Sequence, residues 1–250
     1  MNYIGIIPAR YASSRFPGKP LCDILGKPMI QRVYEAAKKW NHWEGLYIAT
    51  ESEKIVEVCD HLNLPTIMTA DTHVDCLDRA SEVVNMLGFK DPQIRYVIIQ
   101  GDEPLFNSQS LDELLSYKGE LANYYTLIQN PNELYNPNVV KVIINDNGKA
   151  IYFSRYALPG FNQTTARQMI KPDYYKQLGI YMFTKKTLHT YSSFPASMLE
   201  CSEGIGLNRL IEYEIPIDML FTSFNCVSVD TPEDQERVIN ILELNHGKSI

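Results

Sequence analysis

The chain reads as an α/β protein: a mostly parallel sheet flanked by helices, with an antiparallel extension in its middle third. Three observations predict this. Apolar runs such as Tyr3-Ile4-Gly5-Ile6-Ile7 and Tyr96-Val97-Ile98-Ile99 are continuous rather than alternating, as strands covered on both faces should be. Amphipathic segments separate these runs at a strand–helix–strand rhythm, which is the pattern of βαβ units. Beyond residue 120 the rhythm changes to strand-like runs with few helices between them.

The elements follow in order. Tyr3 to Ile7 is the first strand. Pro28 opens a helix whose Met29, Ile30, Val33, Ala36, Ala37 and Trp40 recur at three- and four-residue steps. Gly45 to Thr50 is the next strand, and Ser52 caps a helix carrying Ile55, Val56, Cys59 and Leu62. A short strand Thr66-Ile67-Met68, a helix around Ala80 to Leu87 and the strand Tyr96 to Gln100 come next. Strands are expected at 121–128, 138–144, 150–154 and 177–183, with loops over Leu158 to Lys171 and Ser192 to Met198. Further strands at 216–222 and 226–229 precede Thr231-Pro232-Glu233-Asp234, a capped start for a helix running to about Leu244.

Composition narrows the function classes. The 250 residues, 45% hydrophobic and 21% charged, suit one globular domain with an insert, expected at about 130–200 and used for dimerisation or acceptor binding. With 23 basic against 30 acidic residues, the net charge of −7 argues against gripping a nucleic-acid backbone. No stretch approaches the ~20 apolar residues of a membrane span, and Met1-Asn2-Tyr3-Ile4-Gly5 lacks the start of a signal peptide. Five scattered cysteines form no C-x-x-C pair, and the histidines show no H-E-x-x-H spacing. A reducing, cytoplasmic location is the expectation.

Ligands of a parallel α/β sheet bind at the carboxyl ends of its strands. The loop after the first strand, Pro8-Ala9-Arg10-Tyr11-Ala12-Ser13-Ser14-Arg15-Phe16-Pro17-Gly18-Lys19-Pro20-Leu21, gathers three cations, two hydroxyls and a glycine, which is what a triphosphate needs. It is not a Walker A loop, because proline follows Gly18-Lys19 and no glycine lies five residues before Gly18; nor is it G-x-G-x-x-G. Gln100-Gly101-Asp102-Glu103-Pro104 ends the next long buried strand and offers a carboxylate for a magnesium ion. Asp230, in Ser228-Val229-Asp230-Thr231, reads alone as a helix cap or as a second metal ligand. Together, the loop and the two aspartates are the parts of a phosphorus-transfer site.

At these residues the sequence resembles the 3-deoxy-manno-octulosonate cytidylyltransferases, or CMP-Kdo synthetases. The likeness spans nearly the whole chain: the first-loop motif, Gln100 to Pro104, Asn136-Pro137-Asn138-Val139-Val140-Lys141-Val142, Tyr152-Phe153-Ser154-Arg155, Leu178-Gly179-Ile180-Tyr181 and Val229 to Asp234. The resemblance implies a nucleotidyltransferase (Rossmann-like) fold with a dimer-forming extension, a homodimer, CTP as donor, Mg2+, and a sugar acid whose anomeric hydroxyl attacks the α-phosphate. It implies that Asp102 and Asp230 hold metal, and that Pro8, Ala9, Arg10, Ser13, Ser14, Arg15 and Lys19 bind nucleotide. Lys19 and Arg15 would stabilise developing charge, while Arg79, Gln100 and Tyr181 face the acceptor.

Three departures concern the acceptor. The family reads Ser-Gly-Thr-Glu/Asp-Arg where this chain has Asp75-Cys76-Leu77-Asp78-Arg79, and Leu-Glu-Gln-Leu-Arg where it has Ile205-Gly206-Leu207-Asn208-Arg209. Gln177 replaces a histidine. By the resemblance, that histidine and the Glu-Gln pair help hold sugar hydroxyls, so their loss predicts a changed acceptor. Candidates are Kdo read from other positions, a modified sugar acid, or another small anion such as a phosphonate. Arg79 would meet an acceptor carboxylate, Asp75 an acceptor amine, and Gln177 would line the same wall. A nucleotidyltransferase of sugar 1-phosphates is the competing class, although such loops usually open with glycines.

Overall fold

The computed structural model describes residues 2–13, 15–73, 75–160 and 172–246. In chain order the elements are β1 (Tyr3–Pro8), β2 (Asp23–Ile24), β3 (Lys27–Pro28), α1 (Met29–Lys38), β4 (Trp43–Thr50), α2 (Glu53–His61), β5 (Thr66–Met68), α3 (Cys76–Leu87) and β6 (Arg95–Ile99). They continue with β7 (Leu121–Leu127), α4 (Pro131–Tyr135), β8 (Lys141–Ile144), β9 (Ala150–Ser154), β10 (Tyr175–Thr184), α5 (Lys185–Ser193), α6 (Met198–Glu203), α7 (Leu207–Glu212), β11 (Asp218–Phe221) and α8 (Pro232–His246). Short 3-10 turns cover Lys19–Leu21 and Ser108–Leu115.

The main sheet runs β11-β7-β10-β6-β1-β4-β5, with β8 and β9 branching from β10. β1 pairs in parallel with β4 and β6, as β5 does with β4 and β11 with β7. β10 lies antiparallel between β6 and β7, and β8 and β9 form the antiparallel extension. The expected parallel core flanked by helices is present, and the antiparallel part reaches further than the extension, because β10 runs antiparallel inside the main sheet.

β1 shows why its sequence is continuously apolar. Tyr3 and Ile7 pack with Val33 and Ala37 of α1 and Ile55 and Cys59 of α2. Ile4 and Ile6 pack on the other face with Ala80, Val83 and Val84 of α3 and Leu188 of α5. Both faces are buried, and each buried isoleucine contributes about 2–3 kcal/mol of transfer free energy.

Several expectations are corrected. The third helix begins at Cys76 rather than near Ala80, because Asp75 accepts the amides of Leu77 and Asp78, each at 2.9 Å, and closes the helix start. The middle third holds more helix than its periodicity shows. α6 starts on a capping box in which Ser197 and Glu200 bond reciprocally, so the loop expected over 192–198 shrinks to 194–197. Most of the loop expected over 158–171 lies outside the described residues. Residues 226–229 form no strand; Val229 N–H reaches across to the Asp102 carbonyl at 2.9 Å.

One buried cation organises the extension. Lys141 is fully buried, and its Nζ donates to the carbonyls of Asn136 (3.0 Å), Val139 (2.7 Å) and Arg155 (2.5 Å). Burial, then the nearby Arg155, lowers its pKa from 10.5 to about 8. The folded state thus releases its proton before the unfolded chain does, so this residue's contribution to stability rises with pH between about 8 and 10.5. Urea unfolding over that range should show the wild type gaining stability relative to Lys141→Met as pH rises.

Candidate active site

A cleft of about 680 Å3 opens at the carboxyl ends of β1 and β6. Its first wall is the loop after β1. Ala9 N–H bonds to the Ala49 carbonyl at 2.8 Å, and Gly18 turns the loop back with φ +72°, its N–H meeting the Tyr11 carbonyl at 3.0 Å. Pro8, Ala9, Arg10, Ser13, Arg15 and Lys19 all line the cleft; Ser14 lies outside the described residues.

The loop carries Lys19 to two carboxylates. Its ammonium lies 2.8 Å from Asp102 Oδ2 and 3.3 Å from Asp230 Oδ1. Burial disfavours this charge, but the two aspartates outweigh burial and hold the pKa above its ordinary value. Arg15 adds a second cation, with Nη2 3.2 Å from Asp230 Oδ1 and Nη1 donating to Asn138 Oδ1.

Two local features bring the aspartates together. Gly101 lets the strand end pass close to β1: a Cβ there would sit 2.6 Å from the Pro8 carbonyl oxygen. The Val229–Asp102 backbone bond fixes the segment that bears Asp230. Asp230 itself does no capping. The start of α8 is closed by Asp234 Oδ2, which accepts Thr231 N–H at 3.0 Å, while Thr231 Oγ1 accepts Asp234 N–H at 3.3 Å. The Asp230 side chain is thereby left to the cleft.

The donor set fits a hard divalent ion. Asp102 Oδ1 is buried and has no hydrogen-bond partner among the described residues, and its neighbour across Lys19 is a second carboxylate. Oxygen-only ligation by one or two carboxylates is what magnesium takes when phosphates and waters complete its shell.

The opposite wall is built on Tyr181. Its hydroxyl accepts from Gln100 Nε2 at 2.9 Å and Gln177 Nε2 at 3.0 Å. With both acceptor positions used, its own proton remains to be donated. Burial raises the phenol pKa and keeps that proton in place. Gln177 Oε1 is buried without a partner among the described residues, ready for a donor. Beneath lies Glu103, which accepts Gly179 N–H at 3.0 Å and is pushed up to about 7 by burial and by Asp102.

Asp75 lines the cleft while its carboxylate also accepts the Tyr191 hydroxyl. Arg79 does not line it. As the third residue after the start of α3 it turns inward, is fully buried, ion-pairs with Glu51 Oε2 at 2.9 Å and donates to Thr69 Oγ1 and the Ala70 carbonyl. Glu51 Oε1 in turn accepts Tyr11 N–H at 2.9 Å. Arg79 therefore braces the first loop instead of facing an acceptor.

Other residues at the site carried little signal in sequence. Asn138 and Arg155 lie within motifs, but without a chemical role legible from spacing. Arg155 lines the cleft and donates to the carbonyls of Glu203 (2.6 Å), Pro137 (2.9 Å) and Gly204 (3.1 Å), joining the extension to the cleft wall. Lys176 and Glu133 form a buried ion pair at 3.0 Å on the floor.

Comparison with known proteins agrees with this geometry. The family model described as Cytidylyltransferase matches residues 4–219. The chain is 36% identical over 240 residues to the 8-amino-3,8-dideoxy-manno-octulosonate cytidylyltransferase of Shewanella baltica (strain OS185), covering 94% of this chain and 96% of the relative. It is 37% identical over 251 residues to the 3-deoxy-manno-octulosonate cytidylyltransferase of Nitratidesulfovibrio vulgaris (strain DP4), covering 97% of each. A solved structure of CMP:2-keto-3-deoxy-manno-octonic acid synthetase complexed with CTP superposes with a TM-score of 0.85 at 32% identity, covering 98% of this chain and 100% of the other. A family model matched over residues 4–219, with a solved fold matched over 98% of the chain, places the protein in the cytidylyltransferase family.

Proposed function

We propose that the protein transfers CMP from CTP to a sugar acid of the 3-deoxy-octulosonate type, giving a CMP-sugar and pyrophosphate. The observation that carries this reading is Lys19 held between Asp102 and Asp230 at the mouth of the first loop. Gathering these charges is costly unless phosphate and metal come to share them.

In this reading the loop from Pro8 to Lys19 cradles the triphosphate, with Ser14 included by its place in the motif. Arg10, Arg15 and Lys19 neutralise its charge, and Lys19 and Arg15 meet the charge that grows on departing pyrophosphate. Asp102 and Asp230 would hold Mg2+, which when bound offsets phosphate charge and polarises the α-phosphate. Tyr181, Gln100 and Gln177 orient the acceptor so that its hydroxyl lies in line with the leaving group. No covalent enzyme intermediate is required.

The extension between about 130 and 200 supports a homodimer: Tyr135, Ile151, Tyr156 and Met198 are each half or more exposed. All five cysteines are free thiols, which supports a cytoplasmic setting. Among the described residues, no helix is long and apolar enough to cross a membrane.

The test is pyrophosphate release from CTP and magnesium across an acceptor panel of octulosonates, sialic-type acids, sugar 1-phosphates and phosphonates. Release with an octulosonate is expected. Release only with a sugar 1-phosphate or a phosphonate would overturn the reading. The two relatives' names differ by an amine at C8.

A further inference from the structure

The wall formed by the start of α3 and the α6–α7 link is almost wholly uncharged toward the cleft: Cys76, Leu77, Ile205, Gly206 and Leu207 line it. Asp75 is the exception. Its Oδ1 accepts Leu77 N–H and Asp78 N–H, and its Oδ2 accepts the Tyr191 hydroxyl. A carboxylate offers about four acceptor positions, so the protein uses three and leaves one.

The carboxylate is locked in place from the other side. A Cβ on Gly206 would lie 2.0 Å from Asp75 Oδ2 and 2.7 Å from the Tyr191 hydroxyl. Only glycine at 206 lets the α7 backbone rest against this acid.

Charge around Asp75 is out of balance. Arg209 is the near cation, but its guanidinium binds Asp78 at 3.0 Å through two nitrogens and Glu200 at 2.7 and 2.6 Å. None of these hydrogen bonds goes to Asp75, so among the described residues its carboxylate has no ion-pair partner, while Asp78 and Glu200 share the one guanidinium.

Resting on the sugar-acid reading above, we propose that Asp75, seated by Tyr191 and Gly206, receives a positively charged amine of the acceptor, and that the substrate is an amino-substituted sugar acid. A neutral hydroxyl would fill the remaining acceptor position without correcting the charge. An ammonium does both, through a charge-assisted hydrogen bond. Burial and Asp78 push the Asp75 carboxyl up to about 6, so it is still ionised at neutral pH and gains from a cation.

The experiment compares 8-amino-3,8-dideoxy-manno-octulosonate with 3-deoxy-manno-octulosonate, by pyrophosphate release with CTP and magnesium. The wild type should favour the amino acceptor by roughly tenfold or more in kcat/KM. Asp75→Asn keeps the helix cap and the shape. It should cut the amino-to-hydroxyl preference by about tenfold, through KM for the amino acceptor. Gly206→Ala should reduce the same ratio with Asp75 still present, by displacing its carboxylate. Because the readout is a ratio of two substrates on one preparation, it does not depend on how much of a variant folds. Equal use of the two acceptors by the wild type, or a ratio unchanged in both variants, would overturn the amine assignment while leaving the sugar-acid reading intact. Turnover of neither acceptor would overturn both.

Discussion

Changing Asp102 to Asn lowers turnover by about a thousandfold and moves the thermal midpoint little. The amide keeps a carbonyl oxygen that can accept from Lys19, and the backbone carbonyl still accepts Val229 N–H, so the cleft keeps its shape. What is lost is one of the two negative charges facing Lys19, and with it the buried Oδ1 that has no partner among the described residues. Pyrophosphate release at saturating CTP and magnesium measures the first effect, and thermal unfolding the second. Near-normal turnover would overturn the metal assignment. A large drop in the midpoint would show instead that the aspartate serves mainly to hold the fold.

Arg209→Met destabilises the protein by about 3–5 kcal/mol, the usual result of removing one partner from a buried ion pair. Arg209 is 3% exposed and ties three helices together: Asp78 of α3, Glu200 of α6, and the Tyr191 ring of α5 at 4.1 Å. The substitution leaves two carboxylates in the interior with no cation. In a domain of this size the midpoint should fall by roughly 10 °C. Stranded carboxylates take up protons more readily in the folded state, so the deficit should shrink as pH falls. Adding Asp78→Asn and Glu200→Gln should recover part of the loss. No recovery would mean that Arg209 acts through packing rather than charge.

The parts of this architecture that burial creates were legible from the sequence. β1, β4 and β6 are read from continuous apolar runs because both of their faces are covered, and α1 and α2 from spacing because one face of each is. α4, α6 and α7 were hidden, since helices of five or six residues show less than two turns of periodicity. Caps and ion pairs such as Ser197–Glu200 and Arg209–Asp78 hold them instead. The segment 226–229 looks like a strand because Val227 and Val229 pack inward, yet it borrows a backbone bond where a strand would use a ladder. The site shows the same division. The first loop and the two aspartates stand in strand-end motifs and come together as expected. Arg79 did not follow its motif, because its place in the first turn of α3 aims it at Glu51. Asp75 is both helix cap and cleft wall, and only its place at the acceptor wall was legible in its motif.

The hydrogen bond from Val229 to Asp102 also sets the order in which this molecule can become functional. Lys19 and Asp230 are 211 positions apart, and the stretch between them contains all but one of the elements after β1. A nascent chain can therefore lay down β1, its cation-rich loop and Asp102 long before the second aspartate emerges. During synthesis at about 5–20 residues per second, the cradle waits several seconds for its last wall. Nucleotide can reinforce the finished fold but has no complete pocket with which to guide its early steps.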